Sequence, residues 1–236
     1  MKETICTIPI NDVFGPIDGC PICRLYEMLE KNSIEYITGS AMMEPDVRIE
    51  TNKKGFCGNH LNMMIAQGKR LQNALILETH LEKILEDYFP EKVKGKANIK
   101  ELAQIKKMEE SCFVCERIEW GLTHMFETIF DSYEKDEEFR KLYNKQTHIC
   151  LPHYTDIMIA SASKKGIRGK VATQFNEDSS KLVRNYLSQL KGDVTHFCSM
   201  FDYRNRGGDF KNSRDAIERS VEFLTAKKVE KDNKEN

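Results

Sequence analysis

The sequence has almost no charge of one sign in excess. Its 36 lysines and arginines face 37 aspartates and glutamates, a net −1 at pH 7. Without an overall basic field the chain as a whole does not attract nucleic acid or an anionic membrane, and any such contact would be local. Long apolar runs are also missing. Nothing approaches the ~20 residues of a bilayer crossing, and the first ten residues, Met1 to Ile10, contain no continuous apolar leader segment. We therefore expect a cytoplasmic protein with no membrane partner and no nucleic-acid partner. No stretch alternates with period two, so the fold should be all-α. Absent too are a glycine-rich phosphate loop, a Ser-His-Asp order and a His-Glu-x-x-His signature, and the expectation leans away from an enzyme.

What the sequence does contain is a pair of half-sites that occurs twice. Cys20-Pro-Ile-Cys23 is answered by Cys57-Gly-Asn-His60, and Cys112-Phe-Val-Cys115 by Cys150-Leu-Pro-His153. The spacers, residues 24–56 and 116–149, hold 33 and 34 residues. Six of the eight cysteines lie in these motifs, leaving Cys6 and Cys198 as space-fillers. Paired cysteines with nearby histidines, in a chain without an export signal, favour metal ligation or redox work over structural disulfides.

The repetition extends beyond the ligands. At an offset of 92, Cys20, Cys23, Glu27, Ile37, Ser40, Arg48, Asn52 and Lys53 meet Cys112, Cys115, Glu119, Ile129, Ser132, Arg140, Asn144 and Lys145. One extra residue near Thr147 then brings Cys57 and His60 onto Cys150 and His153. This indicates two tandem helical repeats plus a C-terminal helix. We assign residues 1–90 to the first repeat with a short lead-in, 91–110 to a linker and connecting helix, 111–226 to the second repeat and C-terminal helices, and 227–236 to a charged, disordered tail. Pro21 at a first helical position, Pro45 after Glu44, and the Lys53-Lys54-Gly55 stop mark helix boundaries. The stripe Ala74, Leu77, Leu81, Ile84, Tyr88 reads as core, and Val183, Leu187, Leu190, Val194, Phe197, Phe201 step by four and three and predict a long helix with one weak point at Gly192.

Three residues along a helix turn through roughly 300°, so the two members of each half-site lie about 60° apart on one face. Three thiolates and one imidazole match a closed tetrahedral zinc site. Each repeat has a full set, so we expect two zinc ions, one held by Cys20, Cys23, Cys57 and His60 and the other by Cys112, Cys115, Cys150 and His153. Each ion would staple the first helix of its repeat to the third, a contribution on the order of 10 kcal/mol. The same residues could hold iron–sulfur clusters, serve as a redox dithiol, or be buried thiols without metal. His80, His124 and His196 read as surface or satisfied core residues, and His148 as an outer donor to the site at Cys150. Residues 42–52 and 201–206 could form a surface for a protein or a small anionic ligand. An enzyme with a pocket between the repeats would use Arg48, Tyr203 or Arg204.

The motif set, from Cys-Pro-Ile-Cys-Arg through Met-Met-Glu-Pro-Asp-Val-Arg-Ile-Glu-Thr-Asn and Gly-Phe-Cys-Gly-Asn-His to Cys-Leu-Pro-His and Phe-Asp-Tyr-Arg-Asn-Arg, resembles that of an uncharacterised bacterial family, domain of unknown function 6062. The resemblance implies a cytoplasmic protein with paired Cys/His half-sites and adds no substrate.

Overall fold

The computed structural model describes residues 7–89, 91, 96–205 and 207–229. Cys6, Pro90, residues 92–95 of the linker, Arg206 and the tail from residue 230 lie outside this set. The described residues form eleven α-helices and three 3-10 turns, with no strand among them. None of these helices is long and apolar enough to cross a membrane.

The lead-in is itself a helix, α1 (Ile8–Phe14), because a proline in the first turn removes only an N–H that would have no helical partner. Then follow α2 (Pro21–Ile37), a 3-10 turn (Ser40–Met43), α3 (Pro45–Lys54), α4 (Gly58–Ala66), α5 (Arg70–Tyr88) and α6 (Ile99–Glu109). The rest comprises α7 (Phe113–Lys135), α8 (Glu137–Asn144), α9 (Leu151–Ser161), α10 (Gly169–Ser199) and α11 (Ala216–Thr225), the last preceded by 3-10 turns at Tyr203–Asn205 and Lys211–Ser213. Gly55, at φ +62°, ends α3 in the left-handed region that favours glycine. Asp136 caps α8 by accepting from the backbone N–H groups of Glu138 and Phe139.

Two compact units emerge, one of residues up to Leu25 with Thr123 onward, the other Tyr26–Leu122. Their boundaries fall inside α2 and α7, not in the linker that the 1–90 and 111–226 division places between the repeats. The Tyr26–Leu122 unit is built on Ile34, Ile37, Met64, Ile76, Cys112, Val114 and Ile118. Leu29 lies against Gly121 so closely that an added Cβ would come within 3.0 Å of it. The other unit has an aromatic centre: Tyr143 stacks on Phe14 at 5.7 Å, and Tyr133 meets Phe175 edge-on at 5.0 Å. The Tyr143 hydroxyl is hydrogen-bonded to Ser179 Oγ at 2.8 Å, so this buried polar group has a partner.

The core stripe read on α5 is corrected, while the long helix expected around Val183 to Phe197 is present as α10. On α5 the buried residues are Asn73, Ile76 and His80, while Leu81 is 57% exposed. Asn73 Nδ2 donates to the Met64 carbonyl (2.8 Å) and His80 Nδ1 to the Asn52 carbonyl (3.0 Å), so partners outside the helix make a polar face suitable for burial. On α10 the buried face is Phe175, Ser179, Leu182, Tyr186 and Leu190. It shares only Leu190 with the expected stripe, and the helix runs through Gly192 without a break.

Candidate metal centres

All four half-sites are constructed alike. The first cysteine stands directly before the first helical residue (Cys20 before Pro21, Cys57 before Gly58, Cys112 before Phe113, Cys150 before Leu151), and the second ligand is the helix's third residue. Cys57 and Cys150 have nearly identical extended backbones, φ/ψ −72/160° and −66/158°. At these positions unpaired N–H groups and the helix dipole favour anionic sulfur.

The eight side chains gather in two groups of four: Cys20, Cys23, Cys150 and His153, and Cys57, His60, Cys112 and Cys115. Within each group the potential ligand atoms all lie within 4.8 Å of one another, so each group could hold a metal ion. The grouping overturns the expectation that Cys20 and Cys23 share an ion with Cys57 and His60, and Cys112 and Cys115 with Cys150 and His153, since each Cys-x-x-Cys pair meets the other Cys-x-x-His. The path of the chain supplies the reason. Cys20 and Cys23 belong to one compact unit, and the chain leaves it inside α2, so the Cys57 and His60 that follow belong to the other. The chain returns inside α7, so Cys112 and Cys115 share a unit with Cys57 and His60, and Cys150 and His153 share one with Cys20 and Cys23.

In the first group, His153 Nδ1 lies 3.1 Å from Cys150 Sγ, 3.3 Å from Cys23 Sγ and 3.9 Å from Cys20 Sγ, with Cys23 and Cys150 Sγ 3.7 Å apart. Cys20, Cys150 and His153 are buried. Arg24 and Gln146 tie the flanking segments together: Arg24 Nη2 donates to Gln146 Oε1 (3.1 Å), Arg24 Nε to the Val13 carbonyl (2.7 Å), and Gln146 Nε2 to the Phe14 carbonyl (2.7 Å).

In the second group, His60 Nδ1 is 3.2 Å from Cys57 Sγ, 3.3 Å from Cys112 Sγ and 3.4 Å from Cys115 Sγ, and the Cys57 and Cys115 sulfurs are 3.9 Å apart. His60 and Cys112 are buried, but Cys57 is half-buried and Cys115 exposed. The Phe113 N–H donates to the Gly55 carbonyl (3.0 Å) and Ser111 Oγ to the Lys54 carbonyl (2.6 Å), which holds the two half-sites side by side. Lys54 Nζ adds an ion pair to Glu116 at 2.7 Å.

Glu30, unremarked in the sequence, completes this group. Its Oε1 is 3.1 Å from His60 Nε2, the ring nitrogen away from the sulfurs. A carboxylate in this position keeps a proton on Nε2 and turns the Nδ1 lone pair toward the three thiols. A single glutamate on an amphipathic helix carries no spacing signal that would have identified it.

The electrostatics are those of crowded sulfurs. Burial opposes ionisation of Cys20, but hydrogen bonds with Cys150, Cys23 and His153 outweigh it and hold this thiol well below its ordinary range. Cys23 is pushed far up by its hydrogen bonds to Cys150 and Cys20 together with burial. Burial also works against charge on His153, yet contacts with Cys150 and Cys20 raise its imidazole to about 10. In the second group burial is again offset at Cys112, chiefly by His60, and the thiol falls to about 6, while burial and the Cys112 charge push Cys115 up to about 12. His60 is raised against its burial by Cys112 and Glu30. In each group one sulfur is favoured as an anion, and the histidine beside it is held more basic than usual.

The other candidates fall elsewhere. His148 stacks on Tyr186 at 3.8 Å, and its buried Nδ1 has no hydrogen-bond partner, so it is packed as an aromatic ring. His196 donates through Nε2 to the Asp209 carbonyl at 3.1 Å, and His124 is exposed. Cys198 is exposed and belongs to neither group. Arg48 donates through Nη2 to the Leu75 carbonyl and Thr79 Oγ1. Arg204 is clamped by Asp202 at 2.6 Å, and Tyr203 is exposed.

Fold and site together define an all-helical protein with two Cys3His groups able to hold metal ions. More particularly, the chain matches over residues 1–231 the model described as a family of unknown function (DUF6062), and it belongs to that family. No curated protein and no solved structure matches the chain.

Proposed function

We propose that the protein binds two zinc ions structurally, one in each Cys3His group, and serves as a non-catalytic binding or adaptor module in the cytoplasm. The observation that carries this reading is the set of distances among the ligand atoms. Zinc bonds of ~2.3 Å to sulfur and ~2.0 Å to nitrogen, at tetrahedral angles, put sulfurs ~3.8 Å apart and sulfur ~3.5 Å from nitrogen. Two of the six sulfur pairs lie at 3.7 and 3.9 Å and the others within 4.8 Å, and five of the six sulfur–nitrogen contacts lie at 3.1 to 3.4 Å with the sixth at 3.9 Å. An iron–sulfur cluster distributes its ligands over several irons and needs them farther apart, so these spacings favour a single ion. Four protein ligands leave no open position for catalysis, and a dication resolves the competition of three sulfurs for one negative charge.

The reading includes a duplicated helical unit whose copies exchange half-sites. It is supported by the helix series α2 to α5 and α7 to α10, each beginning with Cys-x-x-Cys and carrying Cys-x-x-His at its third helix. For a partner we propose a protein or a small anionic ligand. A hollow of about 550 Å³ lined by His196, Arg204, Asn205, Asp209 and Lys211 offers the latter a place, with Lys211 as the cation to meet it.

Metal analysis of anaerobically purified protein tests the proposal, and two zinc ions per chain are expected, one for each group. Under the exchanged pairing, the double substitution Cys20→Ser with Cys150→Ser strips one group and leaves the other, whereas Cys20→Ser with Cys57→Ser damages both. A brown, iron-containing sample, or equal zinc loss in the two double variants, overturns it.

A further inference from the structure

The two groups differ in access to solvent. In the first, Cys20, Cys150 and His153 are buried and only Cys23 is partly open. In the second, Cys115 is exposed and Cys57, 3.9 Å from it, is half-buried, while His60 and Cys112 stay inside. The second group thus turns two adjacent sulfurs outward. Their backbones are tied by the Phe113 to Gly55 bond, so the sulfurs remain neighbours when a ligand bond is lost.

We infer that Cys115 and Cys57 form a peroxide-sensitive pair whose oxidation to a disulfide releases the ion of the second group while the first group keeps its own. The inference rests on the zinc reading of both groups. The chemistry needs only a hydroperoxide as oxidant. Cys115, deprotonated because it would be a ligand of the ion, attacks the distal peroxide oxygen as a thiolate and breaks the O–O bond, giving a sulfenic acid and hydroxide (an alcohol, after proton uptake, from an alkyl hydroperoxide). The Cys57 thiolate then attacks the Cys115 sulfur, forming the S–S bond and expelling a second hydroxide, which takes up a proton. Two thiolates lose two electrons and the peroxide gains them. The pair needs to close from 3.9 Å to the ~2.05 Å of a disulfide. The ion loses two of its four ligands and leaves.

Full-length protein loaded with zinc, its stoichiometry measured first, is exposed to increasing hydrogen peroxide in the presence of a chromogenic zinc chelator. Cysteines are then mapped by alkylation and mass spectrometry, with exposed Cys198 as the internal standard. The expected result is release of one zinc at a rate roughly tenfold or more above the other. A Cys57–Cys115 disulfide should accompany it, with reloading after reduction. The variant Cys150→Ser, which touches only the first group, should still release its one ion on oxidation. Starting protein without zinc defeats the underlying reading. Two ions lost together, none lost, earlier oxidation at Cys20, Cys23 or Cys150, or a Cys112–Cys115 disulfide in place of Cys57–Cys115, each overturns this inference and leaves the zinc reading intact.

Discussion

Replacing Glu30 with glutamine should weaken zinc binding in one group only. Glu30 reaches His60 Nε2 at 3.1 Å, and the two side chains are 15% and 2% exposed, so their interaction is shielded from bulk water on most sides. Glutamine keeps an acceptor oxygen of the same reach and removes the charge. What is lost is the carboxylate's effect on the basicity of His60 and on the proton held at Nε2. Removing such a partner costs roughly 10- to 100-fold in metal affinity, or about 1.4 to 2.7 kcal/mol. The first group shares no ligand with the second, and its affinity should be unchanged. Competition with a chelating dye, titrated through both ions, resolves two steps, and Glu30→Gln should shift one of them by this factor. An unshifted pair of steps, or an equal shift in both, would refute the reasoning.

Removing zinc with a strong chelator should lower the melting temperature measured by circular dichroism by many degrees, because each ion adds a folding contribution on the order of 10 kcal/mol. An unchanged melting curve would show that the sites are not structural. Gly55→Ala should destabilise by at least about 1 to 2 kcal/mol in urea unfolding. Its φ is +62°, and a Cβ there would approach His80 Nε2 to 2.9 Å. The same variant should loosen the second ion, since the Gly55 carbonyl receives the Phe113 N–H beside Cys112. His148→Phe should stabilise by about 1 kcal/mol, because it removes a buried, unpartnered Nδ1 while keeping the ring stack on Tyr186.

The eight candidate ligands were legible in the sequence because their signal is local. A step of three residues at a helix start places two donors on one face whatever the rest of the chain does. Pro21, Pro45 and Gly55 marked helix boundaries for the same reason, through backbone restrictions that act within a few residues. The core faces of α5 and α10 were not legible. Burial of Asn73 and His80 depends on carbonyls at Met64 and Asn52, which come from other helices. The role of Glu30 depended in the same way on His60 arriving from another helix. The pairing of half-sites was likewise decided only by tertiary structure. Cys23 meets Cys150 across 127 residues, and His60 meets Cys112 across 52. The motif spacing allows either partner. What selects one is that the chain passes from one compact unit to the other inside α2 and back inside α7, a property of the folded path.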